Sequence, residues 1–150
     1  MDDYDVQQGL NSLLKGEQMA VESYEKFIFA VEDGEIKNEF QSIQSQHKQH
    51  TEQLAERIRS LGGRPDYNTG ITGVIANARL SIETKNMANN SFDILKRAYD
   101  GEDKGIAAAE KIVSGGLDEE SRRLVNNILA QDHGHLKSML SLMSEYGHNQ

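Results

Sequence analysis

Apolar residues recur at three- and four-residue steps along most of the chain, the spacing of one face of an α-helix. Leu10, Leu13, Leu14, Val21, Tyr24, Ile28 and Val31 set the stripe of a first helix, roughly residues 5–32, which the stretch EDGE (32–35) breaks. Ile36, Phe40, Ile43, Leu54, Ile58 and Leu61 carry a second helix to Gly62 and Gly63. Its short connection makes it an antiparallel neighbour of the first. GGRPDYNTG (62–70) holds the one proline, and Ile71, Val74, Ile75, Ala78 and Ile82 then predict a short amphipathic helix inside a long crossover ending at Asn89 and Asn90. Phe92, Leu95, Ile106, Ala109 and Val113 mark a third long helix, SGGLDEE (114–120) ends it, and Leu124, Ile128, Met139 and Leu142 mark a fourth reaching Tyr146 and Gly147. Strand-like alternation of Val, Ile and Thr is missing. The predicted fold is all-α, a single domain over residues 1–150 in which two helical hairpins, joined by the crossover, form an antiparallel four-helix bundle.

Six polar residues occupy the apolar stripes. Glu17 lies in that of the first helix, His47 and His50 in that of the second, Glu102 in that of the third, and Asp132 and His135 in that of the fourth. They also share a level. The first turn is centred near position 33.5, equidistant from Glu17 and His50, and the second near 118.5, equidistant from Glu102 and His135. His47 and Asp132 lie three positions from the histidines, on nearly the same face. The hairpins resemble each other as well: shifting residues 10–62 by 85 positions matches eleven residues in 53, among them Glu17 with Glu102, Gln46 with Gln131 and His50 with His135. Unpartnered buried charge is costly, so six ionisable groups in one core layer need compensation, which a pair of divalent cations supplies. Carboxylate oxygens with imidazole nitrogens suit iron, manganese or zinc.

The pattern Glu17, HKQH (47–50), Glu102 and DHGH (132–135) resembles the ferritin-like superfamily of di-metal carboxylate four-helix bundles. Within it, the chain is most similar to small bacterial ferritin-like families of unknown function. Such bundles carry one Glu on each of two helices and a Glu-x-x-His on each of the others. The resemblance implies two divalent metal ions, iron first and zinc or manganese next, held by Glu17, His47, His50, Glu102, Asp132 and His135. It implies Fe(II) oxidation or consumption of peroxide or oxygen, and assembly into a homo-oligomer. Two positions depart from the pattern. His47 and Asp132 stand where the family places the glutamates that bridge the metals. Imidazole does not bridge as a carboxylate does, and three carboxylates remain against four metal charges.

A function of another class stays open: a non-catalytic helical bundle, a stress or interaction protein whose buried polar layer is a metal-free hydrogen-bond network. Composition narrows the rest. A net charge of −8 argues against nucleic acid or an anionic membrane as partner. The absence of cysteine removes disulfides, thiolate catalysis and Cys-based metal sites. No stretch has the apolar length to cross a bilayer, and the acidic MDDYDV start reads as no signal peptide, so a soluble cytoplasmic protein is expected. Neither a phosphate-binding glycine loop nor a serine elbow is present. Gln46 and Gln131 fit two readings equally, hydrogen-bonding partners of the ligands or flanking polar residues. Tyr24 and Tyr99 are expected to pack with satisfied hydroxyls, Glu25 and Glu110 to face solvent, and His133 and His148 to be exposed.

Overall fold

A computed structural model describes residues 3–68 and 90–148. Four helices account for most of them: α1 (Asp3–Ala30), α2 (Gly34–Ser60), α3 (Ser91–Ser114) and α4 (Glu119–His148). The short helix expected over 71–82 lies outside the described residues.

The helix ends follow from local chemistry. Asp33 caps α2, its Oδ1 accepting from Ile36 N–H at 2.9 Å, and Asn90 caps α3, accepting from Asp93 N–H at 3.1 Å. These bonds satisfy donors that have no partner within the helix. Asp118, the repeat partner of Asp33, accepts from Ser121 N–H at 3.2 Å at the start of α4. Each capping aspartate is also held from the opposite hairpin. Tyr146 donates its hydroxyl to Asp33 at 2.6 Å, and Arg57 donates to Asp118 at 2.7 Å. At the end of α2, Gly62 adopts φ 83°, and the amides of Gly62 and Gly63 return to the carbonyls of Arg59 and Ile58. That left-handed conformation favours glycine, so the GG pair is a helix stop.

Each hairpin packs its own helices together, and the hairpins meet with α1 against α3 and α2 against α4. All these neighbours run antiparallel: Gly9 lies beside Ile112, Tyr24 reaches Glu102, and Arg57 meets Ser121. The apolar core is in two parts. One contains Tyr24, Ile36, Phe40, Ile43, Ile94, Leu95 and Met139; the other contains Leu10, Leu14, Leu54, Ile58, Ile106, Val125 and Ile128. Each fully buried Leu, Ile or Phe contributes roughly 1.5–3 kcal/mol. Between the two parts lies a layer of buried polar side chains. No helix among the described residues is long and apolar enough to cross a membrane.

The predicted stripes of α3 and α4 are buried at Leu95, Ile106, Ala109, Ile128, Met139 and Leu142, and miss the inward face by about one position elsewhere. Ile94, Leu95 and Ala98 are buried whereas Phe92, Tyr99 and Val113 are half-buried; in α4, Val125 is buried and Leu124 is not. Each helix meets two neighbours, and its inward face bisects them, which apolar spacing alone does not locate.

Candidate metal centre

All six residues singled out by the sequence converge on the layer between the two apolar clusters, and each is at most 8 % exposed. The equidistance argument holds within each hairpin: His50 Nδ1 lies 3.3 Å from Glu17 Oε2, and His135 Nδ1 lies 2.9 Å from Glu102 Oε2. His47 sits between the halves, with Nδ1 2.6 Å from Glu17 Oε2 and Nε2 3.0 Å from Glu102 Oε1. Asp132 Oδ1 lies 3.5 Å from His135 Nδ1 and 3.9 Å from His50 Nδ1, yet it has no hydrogen-bond partner among the described residues.

The outer nitrogens of the paired histidines are held across the hairpins. His50 Nε2 lies 2.5 Å from Gln131 Oε1, and His135 Nε2 contacts Gln46 Oε1. An amide oxygen only accepts, so each contact places a proton on Nε2 and leaves Nδ1 as the nitrogen that faces inward, toward Glu17 or Glu102. Of the two readings open for Gln46 and Gln131, the contacts favour hydrogen-bonding partners. A hydrogen bond to the far ring nitrogen fixes tautomer and orientation in metal-binding histidines generally.

Tyr24 stacks on His47, with ring centroids 5.6 Å apart, and donates its hydroxyl to Glu102 Oε1 at 2.6 Å. Its hydroxyl is satisfied, as expected, by a member of the layer. Tyr99 packs, half-buried, against the apolar cluster near α1's C-terminal end. Glu110 is exposed; Glu25 is exposed too, and accepts from the buried Gln44 at 2.9 Å. His133 is exposed, and the side chain of His148 lies outside the described residues. Gln44 and Ser121 are buried polar residues with no chemical signature in the sequence; Gln44 also donates to the Val21 carbonyl and Ser121 accepts from Arg57.

Electrostatics of the layer are governed by burial and by the carboxylate–imidazole contacts. Burial raises the Glu17 pKa, but hydrogen bonds from His47 and His50 outweigh it, and the result is below the usual carboxylate value. Glu102 behaves alike, with His135 and His47 overcoming burial. Burial disfavours charge on His47, yet Glu102 and Glu17 on its two sides lift its pKa to about 10. His50 is raised against burial, chiefly by Glu17. Asp132 goes the other way from the glutamates: burial and the charges of Glu17 and Glu102 raise it to about 8. Burial and the adjacent Glu102 hold the Tyr24 phenol well above its ordinary value.

Two quartets of possible ligand atoms result: Glu17, His47, His50 and Asp132, and His47, Glu102, Asp132 and His135. Within each, the ligand atoms lie within 4.8 Å of one another, and His47 and Asp132 belong to both. The donor set suits divalent iron, manganese or zinc. The inward Nδ1 atoms and the unpartnered Asp132 oxygen between them fit such ions.

Solved structures share this architecture. A two-domain protein from Anabaena variabilis containing DJ-1/ThiJ/PfpI-like and ferritin-like domains matches with a TM-score of 0.81 and 20 % identity, over 100 % of this chain and 39 % of that one. The chain thus spans about two fifths of that protein's length. A dodecameric thioferritin, the bacterioferritin-related protein of Bacteroides fragilis, matches with a TM-score of 0.77 and 17 % identity over 99 % of this chain and 89 % of that one. A ferritin-like, diiron-carboxylate protein from Bacillus anthracis matches with a TM-score of 0.68 and 21 % identity over 95 % and 98 %. No curated protein matches the chain. The fold is therefore the ferritin-like four-helix bundle. The sequence pattern described as Domain of unknown function (DUF2383) matches residues 5–115, most of the chain, and the protein belongs to that family.

Proposed function

We propose that the buried layer is a di-metal centre, with Glu17 and His50 as ligands on one side, Glu102 and His135 on the other, Asp132 shared between the two ions, and His47 an extra nitrogen ligand to one of them. One observation carries the reading: two quartets of buried donors share the same two residues at the level where the hairpins meet. When bound, iron or manganese supplies one-electron redox chemistry toward oxygen or peroxide, whereas zinc is redox-inert.

The chain's own groups then have defined tasks. Gln131 and Gln46 hold His50 and His135 as Nε2–H tautomers, so that Nδ1 is the free donor. Tyr24 holds the Glu102 carboxylate in place and shields one side of His47. The apolar clusters on either side close the layer along the bundle axis. His47, standing where a carboxylate would add negative charge, makes the centre less able to support the higher oxidation state of iron, so Fe(II) oxidation is slow. The Bacteroides neighbour is dodecameric, which supports self-association as part of the reading.

A second reading rests on His47. Its two nitrogens already pair with Glu17 and Glu102, as they would in a metal-free polar network. Elemental analysis of protein purified without chelator separates the two. Two metal equivalents per chain, lost together in Glu102→Ala, support the centre. Wild-type protein that takes up no Fe(II), Mn(II), Co(II) or Zn(II) leaves the hydrogen-bonded network as the function of the layer.

A further inference from the structure

A cleft of about 490 Å³ opens between α1 and α3 and ends on Glu17, His47, Glu102 and Asp132. It falls within the range of small-molecule pockets, roughly 300–1,000 Å³. Above that polar floor its walls are largely apolar. Leu13 and Ile112 flank it, and Leu54 of α2 with Val125 and Ile128 of α4 extend it across the bundle. Among the described residues, the one charged side chain lining it away from the layer is Lys104, which is exposed.

The gap exists because the facing positions are small. Gly16 and Ala20 on α1 stand in repeat register with Gly101 and Gly105 on α3. All four line the cleft, and a Cβ placed on any of the three glycines would meet no atom of the described residues within 4 Å. None of them has a positive φ. Glycine inside a helix weakens it relative to alanine, and here neither backbone conformation nor packing among the described residues demands it. The space kept open leads to a side chain that is 5 % exposed and has an unpartnered oxygen, Asp132 Oδ1.

We propose that this cleft binds a monocarboxylate with an apolar body, its head group at the polar floor and its hydrocarbon toward Leu13, Leu54, Ile112 and Ile128. The head group rests on the di-metal reading. Two divalent ions bring four positive charges against the three carboxylates of the layer, with the imidazoles neutral. One positive charge remains uncompensated in a buried site, and a single exogenous anion neutralises it. The apolar walls select an anion that carries hydrocarbon over a small hydrated one. Position 47 thus decides the ligand: a carboxylate there would supply the missing charge from within the chain.

The test uses decanoate as the probe and zinc-loaded protein, whose zinc content is measured in the same samples. Calorimetric titration should show one decanoate per chain, with affinity at least tenfold weaker for decanol and for the chelated protein. Gly105→Leu fills the cleft where nothing obstructs a side chain. It should keep its zinc and its helical circular dichroism and lose decanoate binding by at least tenfold. Zinc-loaded wild type that ignores decanoate overturns the cleft assignment and leaves the metal centre standing. Protein that holds no zinc overturns the centre and the carboxylate head group with it. Decanoate binding that Gly105→Leu leaves intact, or a Gly105→Leu change confined to oligomeric state, overturns the proposal in favour of another site or of an interface between copies of the chain.

Discussion

Loading the centre with zinc at pH 7 should expel about two protons per chain. Metal binding requires neutral imidazoles and ionised carboxylates. The metal-free layer starts elsewhere. His47, at a pKa of about 10 between Glu102 and Glu17, is almost wholly protonated at pH 7, and Asp132, at about 8, is protonated in roughly nine molecules of ten. Each pKa unit corresponds to about 1.4 kcal/mol, so at pH 7 displacing the His47 proton costs about 4 kcal/mol and the Asp132 proton about 1.4 kcal/mol. His50 is raised as well, chiefly by Glu17, and works in the same direction. Apparent zinc affinity should then climb roughly fiftyfold between pH 7 and pH 8, and roughly fifteen- to twentyfold over the next unit as Asp132 finishes ionising. Titration calorimetry in buffers of different ionisation enthalpy counts the protons directly. Asp132→Asn, which keeps the shape of the side chain and removes its titration, should lower the count to about one. Zinc binding that releases no protons at pH 7, with an affinity flat to pH 8, would refute the picture of His47 and Asp132 as the groups that metal must deprotonate.

Three further outcomes follow from the same contacts. The chelated protein should lose thermal stability from pH 6 to pH 9. His47 has a folded pKa raised above 6.5, so the stability it adds is complete below that value and fades toward about 10; Asp132, raised from 3.8 to about 8, also lets the folded state hold a proton longer than the unfolded chain. Both slopes have one sign, and circular-dichroism melts showing chelated protein that grows more stable with pH would contradict them. Gln46→Ala and Gln131→Ala should each weaken zinc binding about 10–100-fold by freeing Nε2 of His135 and of His50, whereas the exposed His133→Ala should leave it unchanged, as read by competition with a chromophoric chelator. His47→Glu should destabilise the metal-free protein by placing a third acid between Glu17 and Glu102, and should speed Fe(II) oxidation in air as followed by absorbance; a slower variant would show that the imidazole takes part in the chemistry.

Helical spacing alone was enough to place Glu17, His50, Glu102 and His135 at one depth, because a residue's distance from a tight turn sets its level in an antiparallel hairpin. The 3.3 Å and 2.9 Å contacts within the two hairpins are the direct consequence. Contacts between the hairpins were less legible. Gln46 and Gln131 looked equally like surface residues, since nothing local says which way one hairpin is rotated against the other. Gln44 sits in a stripe otherwise filled by Ile36, Phe40 and Ile43, and reads as a polar interruption until the Val21 carbonyl and Glu25 are brought beside it. The opposed protonation of Asp132 and the glutamates was likewise hidden, because it depends on three-dimensional crowding of charge rather than on residue type.

The crosswise contacts have a consequence for how such a chain can diverge. Each hairpin offers one Glu, one amide and one capping Asp, and takes from the other the Gln that steadies its histidine and the Tyr or Arg that locks its cap. Two identical hairpins would therefore be self-complementary, but their symmetry would force the same residue into both shared positions. Joining the halves in one chain lifts that constraint. Position 47 has become a base and position 132 an acid, so the two faces of the layer carry opposite chemistry. A centre of this kind can hold two unlike ions, or hold one far more tightly than the other, an inequality that no symmetric pair of hairpins can express.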